Sequence, residues 1–145
     1  MVTHVIWTVP DGLSAARASS TGLLPEHLGI EFMAIGDDWL EARMPVVQHN
    51  KQPAGLLHGG ASLVLAETLA SVACFHTLDQ ITQTCVGLEI NANHLRGVRE
   101  GFVYGRATPL HRGRSTQVWA IHLRDDDDRL TCIARCTMAV LARRG

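Results

Sequence analysis

Apolar residues along the chain change period from two to three-and-four and back again, and each change marks an element. Ile30, Phe32 and Ala34 alternate with Glu31 and Met33, and Leu40, Ala42, Met44 and Val46 follow with Glu41 and Arg43 between them. Period two predicts two strands here, joined at Gly36-Asp37-Asp38. The polar loop QHNKQP ends at Pro53, and from there Ala61, Val64, Leu65, Leu69, Val72 and Ala73 recur at helical spacing, with Leu63 and Ala66 between them. That filling predicts a long core helix covered on nearly every side, not an amphipathic surface helix. Past Asp79 the face Val86, Leu88, Ile90, Ala92 opposes Glu89, Asn91 and Asn93, which predicts a half-buried strand. Further strands are expected at 101–109, 114–124 and 130–141, divided by the turns REG, HRG and DDDD. The acidic run Asp125 to Asp128 reads as a solvated hairpin turn.

Two strands, one long helix and four strands do not alternate as parallel α/β folds do, so the fold class is α+β, an antiparallel sheet curled around one helix. A chain of 145 residues suits a single domain. Thirteen Lys and Arg against 14 Asp and Glu give no electrostatic reason to expect nucleic acid or a membrane surface as partner. A membrane span is the other reading of the apolar helix, but His58, Glu67, Thr68, Ser71 and His76 interrupt it. The opening MVTHVIWTVPDGLSA has neither a basic start nor a sustained apolar stretch, so a cytoplasmic location is expected. Cys132 and Cys136 share one face of a strand, Cys74 lies on the helix and Cys85 lies near the next strand. No pair has zinc-ligand spacing and no histidines form HxxxH, so no metal is expected.

Glu67 is the one formal charge between Gln52 and Leu78. A lone carboxylate in a buried helix is costly, which marks it as a candidate functional group. It suits a general base for water or a nucleophile that forms an acyl anhydride; a structural carboxylate paired with Arg is the bland alternative. Ser71, one turn on, could orient Glu67 or the water, or simply bond back to its own helix. The helix opens at His58-Gly59-Gly60 with no Ser, Thr, Asp or Asn in the capping position, so its first N–H groups are expected to be free for an oxyanion. The bland reading is a tight loop-to-helix junction. Gly59 and Glu67 are separated by about 12 Å of helix, too far to share one carbonyl. Two antiparallel copies of the helix across a twofold axis would bring them together, giving two sites per dimer.

QPAGLLHGGASLVLAET, VGLEINANHLRG and PLHRGR, in that order, resemble the hotdog-fold acyl-CoA thioesterases. The likeness is greatest to the branch holding 1,4-dihydroxy-2-naphthoyl-CoA hydrolase, the enterobactin-pathway proofreading thioesterase and a 4-hydroxybenzoyl-CoA thioesterase. It runs from about Leu28 to Leu141, which makes residues 28–145 a hotdog domain and leaves 1–27 as an N-terminal segment of uncertain structure. The resemblance implies Glu67 as base or nucleophile, Gln52 and His58 holding the thioester, the Gly59 N–H polarising its carbonyl, and Ser71 positioning water. It implies coenzyme A contacts at Gly87, at His94, Leu95, Arg96 and Gly97, and at His111, Arg112, Gly113, Arg114, Ser115 and Thr116. The cationic side chains among these suit phosphate groups. No bound cofactor is implied, since coenzyme A is part of the substrate, and the expected assembly is a dimer that forms the site, within a tetramer. Ala54, where many relatives carry an aromatic residue, leaves the acyl preference open. A hotdog-fold acyl-thioester dehydratase or hydratase, and a non-catalytic acyl-CoA-binding protein, are the alternatives.

Overall fold

The structure, a computed structural model, describes residues 4–144; the outermost residues of both expected segments, 1–3 and 145, lie outside the described residues. Two short helices, α1 (Gly12–Ser19) and α2 (Leu24–His27), precede strands β1 (Glu31–Ile35) and β2 (Leu40–Pro45). The long helix α3 (Gly59–His76) follows, and then β3 (Gln83–His94), β4 (Phe102–Arg112), β5 (Thr116–Arg124) and β6 (Leu130–Ala142). All strand pairings are antiparallel, in the order β1-β2-β4-β5-β6-β3, so one edge of the sheet is β3, the strand that follows α3.

The sheet wraps α3 along one side only. Leu65, Leu69, Ala66, Ala70 and Ala73 are fully buried against Leu40, Met44, Trp119, Ile121 and Leu123. Each buried leucine contributes about 1.5–3 kcal/mol. The small alanines let the sheet close in, and at Gly105 a Cβ would stand 2.7 Å from Leu69 Cδ1. The opposite face of α3, with Val64, Glu67, Thr68 and Ser71, is bordered by β3 along one side only and lines an open cavity, so the helix is not covered on nearly every side as its composition suggested. By length and composition α3 could cross a membrane, yet half of it is buried under the sheet.

A buried polar chain fixes the far end of α3. The Trp119 indole donates to Gln117 Oε1 at 3.0 Å, the Gln117 amide donates to Thr77 Oγ1 at 2.8 Å, and the Thr77 hydroxyl donates to the Cys74 carbonyl. Residues 4–27, the segment of uncertain structure, are ordered against the same end. The Thr8 N–H and hydroxyl donate to the carbonyls of His76 and Leu78, and Trp7 donates to the Gly36 carbonyl and stacks on Trp119. Asp11 caps α1 by accepting from the Ser14 N–H, and Arg17 ties α1 to β1 through the Phe32 carbonyl.

Two expectations change. Leu88 is an extra residue in β3, because Gly87 pairs with Met138 and Glu89 with the adjacent Thr137. That bulge shifts the phase of the strand by one. Ile90 and Ala92 face the core as expected, but before the bulge Cys85 and Gly87 turn inward while Val86 and Leu88 are exposed at 48% and 60%. Asp125 is likewise not a solvated turn residue. It is buried, accepts from the N–H groups of Asp127 and Arg129 and from the Arg129 guanidinium, and organises the β5–β6 turn. Burial pushes its carboxyl up, but the Arg129 and Asp127 hydrogen bonds outweigh that and hold it below the usual carboxylate value.

Candidate active site

The expected site residues fall into three groups on one protomer, and the register of the sheet says how far apart they are. The first group gathers at the start of α3. Gln52, Gly59, His94, Leu95, Arg96 and Gly97 line a cavity of 320 Å³ together with Ser62 and Thr131, which were not anticipated from the sequence. Backbone bonds hold its two loops together: the Leu57 N–H donates to Val98 O, and the Leu95 and Arg96 N–H groups both donate to Thr131 O. His94 lies so close over the helix start that a Cβ on Gly59 would stand 2.9 Å from its Nε2.

The helix start is not uncapped, as its sequence suggested. His58 is the N-cap, and its Nδ1 accepts from the Gly60 N–H at 2.8 Å. An imidazole is a capping acceptor that a search for Ser, Thr, Asp and Asn overlooks. The bond has a chemical consequence: with Nδ1 committed as acceptor, the ring proton of neutral His58 resides on the exposed Nε2. Gln52 is arranged in the same way, since its Oε1 accepts from the Ala54 N–H and its NH₂ is left as donor. The Gly59 N–H has no acceptor among the described residues. One loop therefore presents three donors, two from side chains and one at the positive end of an 18-residue helix.

The second group lies along the outward face of α3. Glu67 and Ser71 line a cavity of 830 Å³ with Val64, Thr68, Val72, Phe75 and Cys85. Glu67 is exposed in the protomer, not buried, because the sheet leaves this face of the helix open. No Arg or Lys pairs with it among the described residues, which removes the structural ion pair as its explanation. Its carboxylate rests on the backbone of Gly87, where a Cβ would collide with Oε1. Ser71 makes no side-chain hydrogen bond among the described residues, and its carbonyl accepts from the Cys85 thiol at 3.7 Å. Ser19, Ser20, Leu23, Leu24 and Pro25 close the other side of this cavity. These were missed in the sequence. The signals were the Asp11 cap and Pro25 in the first turn of α2, both helix-start chemistry in a stretch with weak periodicity.

The third group, His111 to Thr116, spans the end of β4, the turn and the first residue of β5, and lines neither cavity. His111, Arg112, Arg114 and Ser115 are exposed; the Gly113 N–H donates to Thr116 O and closes the turn. Thr116 pairs with Ala139, which pairs with Val86, whereas His94 pairs with Cys132. The turn thus lies level with the later half of α3, about 25 Å along the sheet from His94. The structure unites Gln52, Gly59 and His94 to Gly97, and separately Glu67, Ser71 and Gly87, but does not bring the groups together within one chain.

No cluster of three or more His, Cys, Asp or Glu side chains among the described residues is placed to hold a metal ion.

Residues 54–132 match the model of the thioesterase superfamily. This chain is a member of that family. The thioesterase is 50% identical over 137 residues to 1,4-dihydroxy-2-naphthoyl-CoA hydrolase of Escherichia coli (strain K12), covering 94% of this chain and 100% of that one. It is 49% identical over 137 residues to the proofreading thioesterase EntH of Cronobacter turicensis, covering 94% and 99%. Among solved structures it superposes on a mutant thioesterase from Pseudomonas aeruginosa with a TM-score of 0.92 at 48% identity, over 95% of this chain and 99% of that one. The antiparallel six-stranded sheet around α3 is the hotdog fold, and the enzyme is a thioester hydrolase.

Proposed function

We propose that this thioesterase hydrolyses an aryl-CoA or related acyl-CoA, with Glu67 as base or nucleophile, in a site completed by a second copy of the chain. The observation that carries this reading is the division of the site: three donors at the start of α3, and the only carboxylate of the helix about 12 Å further on, facing open space. A twofold axis beside Leu63 brings the partner's Glu67 to Gly59. Because β3 returns antiparallel along α3, with Gly87 at Glu67 and His94 at Gly59, the same axis sets the free edges of two β3 strands against each other near Ile90. That pairing satisfies an otherwise open sheet edge. It also brings the partner's Arg112 and Arg114 towards Arg96, a cationic rim for the phosphates of coenzyme A. Association of two such dimers into a tetramer, in the cytoplasm where free thiols persist, belongs to the same reading.

In this arrangement the Gly59 N–H and the helix dipole stabilise the oxygen that becomes negative when the thioester carbonyl is attacked. His58 Nε2–H and the Gln52 amide hold the thioester beside it. The attacking oxygen is that of a water deprotonated by Glu67, or of the Glu67 carboxylate itself. In either route the C–S bond breaks and coenzyme A leaves as a thiol after taking a proton; with water as nucleophile its oxygen enters the free acid directly, and with Glu67 as nucleophile a second step has water cleave the acyl–Glu67 anhydride to release the free acid and regenerate the carboxylate. The Ser71 hydroxyl, which has no hydrogen-bond partner among the described residues, lies one turn away to orient that water.

Thiol release from benzoyl-CoA and 1,4-dihydroxy-2-naphthoyl-CoA tests the reading. The wild type should turn both over, and Glu67→Ala should bind substrate normally yet lose turnover. Near-normal turnover in Glu67→Ala overturns the role of the carboxylate; absence of thiol release by wild type from an aryl- and fatty-acyl-CoA panel overturns the substrate class.

A further inference from the structure

The cavity that holds Glu67 has two walls of different origin. One is α3 itself, with Val64, Val72 and Phe75 beside the carboxylate, and the other is the turn from α1 into α2, with Leu23 and Leu24. The sheet reaches it only through Thr84 and Cys85 of β3. Leu23 and Leu24 line the cavity yet are 59% and 56% exposed, so it is wide enough to leave their side chains in water. Among the described residues no hydrogen bond joins 19–25 to α3; the turn is held from behind, where the Ile30 N–H donates to Pro25 O and Arg17 of α1 donates to the Phe32 carbonyl. The Gly22 N–H, at a positive φ of 74°, donates to Glu26 Oε2 at 2.6 Å and braces the start of α2. A wall anchored on the β1 side therefore faces α3 with aliphatic side chains across a space of 830 Å³.

We infer that Leu23 and Leu24 are specificity-determining residues: they form the outer wall of the acyl site and favour a large, uncharged, apolar acyl group, which buries them. The inference rests on the hydrolase reading, in which the partner's Gly59 brings the thioester carbonyl to Glu67. From Glu67 to Phe75 the helix rises about 12 Å. The cavity follows it, so an acyl group whose carbonyl lies at the carboxylate has that length to run between α3 and the leucines. A small acyl group fills little of the space and leaves the leucines wet. A larger one reaches both walls and removes their apolar surface from water. Charge is disfavoured on two counts: no Lys or Arg lines the cavity, so a carboxylate on the acyl group would be desolvated without a partner, and Glu67 itself would repel it.

The test is the ratio of specificity constants for thiol release from 1,4-dihydroxy-2-naphthoyl-CoA and from benzoyl-CoA. It is measured on the wild type and on two double variants, Leu23→Ala with Leu24→Ala and Leu23→Met with Leu24→Met. The alanine pair should lower the naphthoyl-to-benzoyl ratio by about 10-fold, the size of effect that lost apolar contact in a pocket produces. The methionine pair, which keeps the contact, should stay near the wild-type ratio. Looser packing without a role in selection would lower both constants by one factor and leave the ratio where it was. Both pairs exchange side chains that are more than half exposed, so the thermal midpoint should stay close to that of wild type. Glutaryl-CoA, whose acyl group ends in a carboxylate, should be hydrolysed by wild type far more slowly than benzoyl-CoA. An alanine ratio that is unchanged or higher, a methionine ratio as low as that of alanine, or glutaryl-CoA hydrolysed as fast as benzoyl-CoA overturns the inference and leaves the hydrolase reading standing. Absence of thiol release by wild type from every one of these thioesters overturns that reading and this inference with it.

Discussion

Gly87→Ala isolates the positioning of the carboxylate from its chemistry. A Cβ at this position collides with Glu67 Oε1, and the nearest further atom is the carboxyl carbon of the same residue, 3.6 Å away. Only the end of an exposed side chain has to yield, so the fold should be undisturbed and the thermal midpoint close to that of wild type. The carboxylate, however, must retreat by about 1 Å to reach ordinary contact, and a displacement of that size at the reacting group costs about 10²-fold in rate. That is about 2.7 kcal/mol of transition-state stabilisation. On the proposal that Glu67 acts on the carbonyl while the donors at the helix start hold the thioester, the loss should appear in kcat with KM nearly unchanged. Thiol release from benzoyl-CoA under saturation gives both constants. A folded Gly87→Ala protein with wild-type kcat refutes the reasoning, as would a loss confined to KM.

Gly105→Ala carries the converse expectation. Its Cβ would stand 2.7 Å from Leu69 Cδ1 in the core, so urea denaturation should show destabilisation by about 1–3 kcal/mol with little change in kcat of the folded protein. Stability should also fall in acid in two stages. Burial lowers His76 below its ordinary value of 6.5, so the unfolded chain binds the proton more readily and stability is lost as pH falls below 6.5. Asp125, held below the usual carboxylate value, adds a second loss below pH of about 4. Thermal melts from pH 8 to 3 check both, and His76→Leu should remove the first stage alone.

The succession of elements along the chain, two strands, one long helix and four strands, was legible because α3 and the strands differ in period, a signal that does not depend on tertiary contacts; the order of the strands within the sheet was not. The residues clustered at the helix start were legible for a different reason, since QPAGLLHGG and VGLEINANHLRG are motifs. What escaped was set by single insertions and by the third dimension. Nothing in the alternation around Val86 and Leu88 announces an extra residue, yet that residue turns Cys85 and Gly87 towards the helix. The exposure of Glu67 depends on which side of α3 the sheet leaves bare, which composition cannot say. His58 was singled out for the thioester, but its bond to Gly60, which fixes the proton on Nε2, needs coordinates. Residues 12–27 were overlooked although their caps were in plain view, because short helices carry too few turns to show a period.

The central claim is that one chain supplies the donors and another the carboxylate. Co-expression of differently tagged Glu67→Ala and Gln52→Ala chains, with the mixed dimer purified through both tags, tests it most directly. Each parent should be inactive, while the mixed dimer regains one intact site of two, about half the wild-type kcat per dimer, with Gln52 from one chain and Glu67 from the other. A mixed dimer as inactive as its parents would contradict the account.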